Sequence, residues 1–339
     1  MQIAVAEHIS VPAEWAPQKA MWAAWPADPD QWSDDLATPR REVAALVRAL
    51  SPSNRVRLLV AGDEAESTAR AALGNAAELV PARYGDIWLR DTGPIFACGK
   101  RGPVALRFIT NGWGGKFDLP EDSTVGDDIA KLAGAPVRKF DFVLEGGAIE
   151  QDGDGTLLAT RQTLLNENRN DWSEAQAEAA LREAFGAKKI IWIDRGLLND
   201  HTDGHIDTLA RFVGPGRIVC QSPAGADDPN AKVLNEIARM LEAATDALGR
   251  KLEVIRIPSP GLVLDDSGEA APASHVNFVI ANEIVVMPTY GTATVERAAQ
   301  ALQAEFPDRK VVCLPSRGVL GSGLAGGGSF HCITREEPL

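Results

Sequence analysis

The sequence predicts an α/β protein built as a closed ring of five similar modules. Three observations carry that expectation. A helix followed by a strand recurs five times, strand–turn–strand segments lie between these units, and no low-complexity linker divides the 339 residues. A unit recurring at intervals of roughly 50 to 85 residues cannot bury its own apolar face, so copies must stack. Unlike surface sequences in the copies favour a closed ring over an open array. One domain spanning residues 1–339 is therefore expected, with a two-domain protein built on an open sheet as the alternative.

The first helix, 38–50, opens with Thr38-Pro39: the hydroxyl suits a free amide, and proline sits where a missing N–H costs nothing. A strand at 55–60 follows. The second unit is helix 123–133 with strand 137–140. The third opens at Ser173 with Gln176 three residues on, the spacing of a reciprocal cap, and runs to 185 before a strand at 189–193. The fourth, 230–248, carries Val233, Ile237, Met240 and Leu241 at three-and-four spacing. Gly249 stops it ahead of a strand at 252–257. The fifth, 295–306, ends at Pro307 before a strand at 310–314. Between the units, 142–150 pairs with 156–160, 208–213 with 217–220, and 275–280 with 284–287, each across a short turn. The last unit is followed by one strand candidate, 329–333. The segment 20–25 is expected to supply its missing partner and lock the ring.

Composition narrows the function. No apolar run reaches the roughly 18 residues of a membrane-spanning helix, and the N-terminus lacks the basic start and apolar stretch of a secretory signal. Cys98, Cys220, Cys313 and Cys332 are scattered without a CxxC pair, which argues against a zinc knuckle or disulfide scaffold and makes a reducing cytoplasm the expected compartment. Acidic residues number 47 against 34 basic, a net charge of −13. Such a field repels nucleic acid and attracts a cationic small molecule. Neither nucleic acid nor membrane is expected as a partner; assembly as a homodimer is left open.

The chemistry-bearing residues are dispersed. The run Gly321-Ser322-Gly323-Leu324-Ala325-Gly326-Gly327-Gly328-Ser329-Phe330-His331-Cys332 lets backbone approach a ligand closely, yet it lacks the lysine and spacing of a phosphate loop. A lone cysteine is more often a small buried hydrophobe than a nucleophile. That reading suits Cys98, Cys220 and Cys313 in apolar strands, whereas Cys332 follows a backbone that must thread past something. A nucleophilic thiolate needs a base or cation nearby. Asn199-Asp200-His201-Thr202-Asp203-Gly204-His205-Ile206-Asp207 offers two histidines and several acids. His205 and Asp207 would point the same way on a strand. Three readings stand there: a metal site on His201 and His205, a solvated polar loop, and His205 as acid/base with Asp207 holding a cation.

Asp86-Ile87-Trp88-Leu89-Arg90-Asp91-Thr92-Gly93-Pro94 sets Trp88 and Arg90 on one strand face and Asp91 at the following turn. A carboxylate at a strand end suits a planar cation gripped by two parallel hydrogen bonds, or simply a solvated turn. Leu144-Glu145-Gly146-Gly147 repeats the choice. Asn111-Gly112-Trp113-Gly114-Gly115-Lys116 adds a tryptophan that either walls a pocket or covers core. Together these residues suit attack by a thiol on an electron-poor carbon held by carboxylates, and a guanidinium fits that description.

At these residues the sequence resembles the agmatine deiminase (agmatine iminohydrolase) family and its relatives among bacterial-type peptidylarginine deiminases. The matching blocks are Trp88 to Pro94, Leu144 to Gly147, Leu164-Leu165-Asn166-Glu167-Asn168-Arg169-Asn170, Asn199-Asp200 with Gly204 to Asp207, Val276-Asn277-Phe278, and Gly326 to Thr334. The resemblance implies a pentein fold, a five-bladed α/β propeller with pseudo-fivefold symmetry. It implies Cys332 as nucleophile, His205 as acid/base, and Glu145 as the carboxylate orienting His205. Asp91 and Asp207 would grip the guanidinium, with Trp88 and Trp113 at the substrate. His201-Thr202-Asp203 stands where plant-type members more often read Glu-Thr-Asn, and Ser329-Phe330 where Asn-Ile is usual. The expected activity is hydrolysis of agmatine to N-carbamoylputrescine and ammonia, within polyamine metabolism and without metal or organic cofactor. The alternatives are a deiminase of another guanidine or arginine derivative, a metal-dependent hydrolase, and a non-catalytic polyamine-binding protein.

Overall fold

Five small sheets sharing a three-strand pattern, the first with one extra edge strand, are formed by the described residues. The structure, a computed structural model, describes residues 9–33, 35–100, 102–321 and 327–339. The N-terminal segment read for a signal falls in residues 1–8, and part of the glycine-rich run in 322–326, both outside the described residues.

In the first sheet β1 (Gln18–Ala24) runs parallel to β2 (Val56–Val60), with α1 (Ala37–Leu50) crossing between them. Next, α2 (Gly62–Leu73) leads to a parallel edge strand β3 (Glu78–Pro81). The second sheet follows a single turn α3 (Leu89–Thr92). It pairs β4 (Ile95–Gly99) antiparallel with β5 (Gly102–Ile109). After the one-turn α4 (Gly112–Gly115), helix α5 (Val125–Ala133) crosses to β6 (Val137–Val143), parallel to β5.

The third sheet repeats this with β7 (Ile149–Gln151), β8 (Thr156–Thr160), the short α6 (Arg161–Leu164), α7 (Glu174–Phe185) and β9 (Lys189–Ile193). The fourth uses β10 (Ala210–Gly214), β11 (Arg217–Ser222), α8 (Ala231–Ala243) and β12 (Glu253–Pro258). The fifth uses β13 (Val279–Ile280), β14 (Ile284–Thr289), α9 (Val295–Glu305) and β15 (Lys310–Pro315). Past α10 (Arg317–Gly321), the last strand β16 (Arg335–Pro338) returns to pair antiparallel with β1, setting Trp22 opposite Arg335. Thus β16, β1 and β2 reproduce the antiparallel-then-parallel pattern of the other four sheets.

All five helix–strand units foreseen are present, with shifted ends. Ser173 and Gln176 cap α7 reciprocally, as their spacing requires, and Gly186 ends that helix at φ +66°. Thr38 does not cap α1: Asp35 Oδ1 takes the amides of Ala37 and Thr38, so the helix begins one residue earlier. The fourth helix stops at Ala243 rather than 248, because Asp246 draws the amides of Leu248 and Arg250 into a tight turn. The candidate strand 329–333 is a turn, and the ring-closing strand begins at Arg335. Its partner β1 covers the segment foreseen for that role. Helix α2 and strand β3 were not foreseen; alanines on one face left their apolar stripe faint.

Apolar side chains gather in clusters shared by successive modules, as where Leu158, Ile191 and Ile193 of the third sheet join the fourth module. The face Val233, Leu234, Ile237 and Leu241 of α8, for example, packs on Ile218 and Cys220 of β11. Each module thus buries its own apolar stripe against a neighbour. The residues just ahead of the first strand of each sheet are polar and buried. Asp91 precedes β4, Glu145 precedes β7, His205 and Asp207 precede β10, Asn277 precedes β13, and Cys332 precedes β16. Every third strand therefore delivers one chemistry-bearing turn. Among the described residues no helix is long and apolar enough to cross a membrane.

Candidate active site

The two segments read as strands carrying site residues are turns. Leu89–Thr92 forms one helical turn, with Thr92 Oγ1 donating to the Trp88 carbonyl. Ile206–Thr208 forms a 3-10 turn, with Thr208 Oγ1 donating to the His205 carbonyl. Period-two alternation therefore does not place Trp88 with Arg90, or His205 with Asp207. The hydroxyls two to four residues ahead bend the backbone first.

Gly147 marks the point of convergence. A Cβ built there would lie 2.7 Å from His205 Nδ1, 2.9 Å from Asp91 Oδ1 and 3.1 Å from Asp207 Oδ2. Only glycine leaves that space to the three groups. Asp91 is fixed at both oxygens: Oδ1 accepts from the Gly147 amide and Oδ2 from Trp113 Nε1, each at 2.8 Å. His205 Nδ1 lies 3.7 Å from Asp91 Oδ2, and neither ring nitrogen has a hydrogen-bond partner although the side chain is 1% exposed. Burial pushes Asp91 above the usual aspartate range; His205 opposes this, while Asp207 and Glu145 add to it.

Cys332 completes the cluster. Its Sγ lies 3.5 Å from Asp207 Oδ2 and accepts from Asn277 Nδ2 at 3.2 Å. Burial, then the charges of Asp207 and Asp91, hold the thiol well above its ordinary value, so it rests protonated. Asp207 is also fully buried, which raises a carboxyl. The hydrogen bond and charge of His331, with His205 and Arg211, overcome that and bring it to about 2. Its Oδ1 is buried without a partner. Two carboxylates, an unpartnered imidazole and a thiol gathered in one place can hold a planar cation with several N–H donors.

Glu145 is engaged differently from the expectation of a His205 partner. Its Oε1 accepts from Arg169 Nε at 2.7 Å, Oε2 has no hydrogen-bond partner, and no Glu145–His205 hydrogen bond forms. Trp88 walls the thiol: a Cβ on Gly328 would touch its ring at 2.5 Å and Cys332 Cβ at 3.0 Å. The Trp88 indole donates to Asp86, whose burial pushes it up to about 7. Trp113 lies across the same narrow cleft, edge-on to Phe117. His201 is exposed at the mouth, where a cavity of about 660 Å³ is lined by Asp200, Asp203, Asp265, Asp266 and Glu269. Cys98 and Cys313 lie away from these groups in β4 and β15. Cys220, in β11, has a thiol that burial raises to about 12.

Several residues escaped the sequence reading. Asn277 touches Cys332 directly but stood out only as part of a matching block, as did Arg169. Behind the thiol, His331 bridges Asp207 Oδ2, at 2.7 Å from Nδ1, and Glu14 Oε2, at 2.9 Å from Nε2. Arg211 ion-pairs with the same Glu14 oxygen and with Glu150 at 2.9 Å. No local spacing announces partners brought together from residues 14, 150, 211 and 331.

The chain is similar to known proteins over nearly its whole length. The family described as Porphyromonas-type peptidyl-arginine deiminase matches residues 10–338. The agmatine deiminase of Stutzerimonas stutzeri is 37% identical, over 97% of this chain and 95% of its own. The solved agmatine deiminase of Enterococcus faecalis superposes with a TM-score of 0.91 at 28% identity, covering 97% of this chain and 96% of that one. A C. jejuni agmatine deiminase solved with substrate bound gives 0.87 at 28% identity, covering 99% and 98%.

Proposed function

Because the chain belongs to the Porphyromonas-type peptidyl-arginine deiminase family and adopts the pentein fold, we propose that it hydrolyses agmatine to N-carbamoylputrescine and ammonia. The observation that carries the reading is the convergence of His205, Asp91 and Asp207 around Gly147, with the Cys332 thiol 3.5 Å from Asp207.

A guanidinium entering past Trp88 and Trp113 meets the two carboxylates, and its N–H groups satisfy the free lone pairs. Its charge offsets the two anions that hold the Cys332 proton, so substrate binding itself favours the thiolate. The thiol proton passes to His205 as sulfur attacks the central carbon. His205 delivers a proton to the departing nitrogen, and ammonia leaves an amidino group on sulfur. His205 then takes a proton from water as the water adds to that carbon; sulfur departs, the remaining hydroxyl proton returns to it, and the urea product and the Cys332 thiol result. Glu145, tied to Arg169, steadies the wall beside His205 and spreads negative charge toward Asp91. The acidic cavity at the mouth suits the ammonium tail. We assign this activity to a single domain working in the cytoplasm, with a cationic guanidine as its ligand and with neither nucleic acid nor membrane as partner.

The test is ammonia release across agmatine, free arginine and arginine peptides. The expected outcome is release from agmatine far above the others. Equal turnover of arginine peptides would reassign the substrate, and no release from any guanidine would defeat the proposal.

A further inference from the structure

His331 is 1% exposed and bound at both ring nitrogens by carboxylates. One of them, Asp207, is the acid closest to the thiol. The other, Glu14, is held in place from three sides: Arg211 and His331 on Oε2, and the Ile280 amide at 2.9 Å on Oε1. Arg211 is anchored in turn by Glu150 and by the Phe278 carbonyl at 2.7 Å. Glu14 is thus a fixed post, and His331 a strut from that post to Asp207.

We propose that His331 is a positioning residue for guanidinium binding: it clamps Oδ2 of Asp207, leaving Oδ1 free for the substrate, and keeps that carboxylate ionised beside Cys332. The inference rests on the deiminase reading and extends it to a residue outside the reacting groups. Oδ1 is the buried oxygen of Asp207 that lacks a partner, as expected of an atom reserved for a ligand. The charged and titratable groups facing Asp207 are His331 and Cys332 from the C-terminal turn, His205 beside it, and Arg211 from β10. Arg90 and Asp91 face it from α3, and Asp200 from the preceding loop. Among the described residues, His331 is the only histidine, lysine or arginine hydrogen-bonded to the Asp207 carboxylate. Without His331, burial and the nearby acids would drive the Asp207 carboxyl upward, so that it protonates as pH falls while the parent remains charged.

The experiment compares Cys332→Ala with the same protein carrying His331→Gln, measuring agmatine binding by calorimetry from pH 8 to pH 5.5. Glutamine can keep one of the two ring-nitrogen hydrogen bonds but not both. Affinity should fall roughly 10- to 100-fold at pH 8, the range expected for a lost hydrogen bond to a charged group, and the gap should widen as pH falls. A gap that stays constant with pH, or unchanged affinity, would overturn the proposal. In the unsubstituted protein, carboxyl-¹³C titration should find Asp207 ionised below the free-aspartate range. Ordinary titration there would overturn it as well, even if His331→Gln fails to fold. If Cys332→Ala binds no agmatine at all, the deiminase reading fails, and the carboxyl titration still decides the role of His331.

Discussion

Trp113 donates its indole proton to Asp91 Oδ2 across 2.8 Å from a backbone turned left-handed at φ +53°. Its neighbours Gly112, Gly114 and Gly115 have φ of +64°, +85° and +76°. Glycine adopts such angles freely, whereas a side-chain-bearing residue loses about 1–2 kcal/mol there. Asn111 braces the turn, accepting from the Gly114 amide and donating to the Asn168 carbonyl, each at 2.9 Å. The strained turn aims the indole N–H, and the Gly147 amide holds the other oxygen. Asp91 is therefore oriented before any substrate arrives.

Trp113→Phe keeps the apolar body against Phe117 and removes only the donor. A hydrogen bond to a charged acceptor is worth about 1.5–3 kcal/mol. KM for agmatine should therefore rise by about one to two orders of magnitude with little change in melting temperature. Unchanged steady-state kinetics would show that the indole bond does not orient Asp91.

Gly147→Ala puts a methyl among His205, Asp91 and Asp207 at contacts as short as 2.7 Å. These groups must separate, and displacements of about 1 Å in a reacting constellation can cost 10²-fold in rate. The variant should fold and lose at least that factor in kcat/KM. Parent-like turnover would mean the reacting groups lie elsewhere.

If the chain binds agmatine as proposed, the acid limb of binding should belong to Asp91. Its carboxyl is raised by burial and nearby acids, so it gains a proton at a higher pH than a free aspartate does, while Asp207, at about 2, stays charged. In Cys332→Ala, affinity should weaken as pH drops toward the aspartate range from above. In Asp91→Asn that limb should vanish from an already much weaker binding curve. Calorimetry at stepped pH reads both effects.

In the substrate-free protein the Cys332 thiol is held well above its ordinary value, so its alkylation by iodoacetamide should be slow at pH 7 and still accelerating at pH 9. A rate that levels off by pH 8 would contradict a thiol buried between two carboxylates. Activity should disappear with alkylation, be protected by agmatine, and survive exhaustive chelation.

Cys332→Ala should abolish turnover and retain agmatine binding. His205→Ala should stall proton transfer and leave an amidino adduct on the Cys332 peptide, visible by mass spectrometry after quenching. An adduct confined to Cys98, Cys220 or Cys313 would identify a different nucleophile.

Local patterns revealed the modules and not their junctions. The apolar stripe of α8 and the reciprocal cap of α7 act within one turn of helix, so the chain alone announces them. Cys332, His205, Asp91 and Asp207 were recognisable because each stands in a turn rich in glycine or acids. His331, Glu14 and Arg211 were not, since what matters about them is the meeting of three distant segments. The misplaced strand at 329–333 has the same origin: Thr334 Oγ1 donates back to the Phe330 carbonyl, and that capping bond turns an apolar stretch away from extended geometry.

The pairing of β16 with β1 makes assembly of the site a late kinetic event. Trp22 Nε1 reaches Glu337 Oε2 across 315 positions of chain, a contact whose loop-closure entropy is met only after the intervening modules have formed. The turn holding Cys332 leads directly into that strand. During refolding, helical signal from α7 and α8 should therefore return well before ammonia release does. The interval between the two would time the closing of the ring and the arrival of the thiol as a single step.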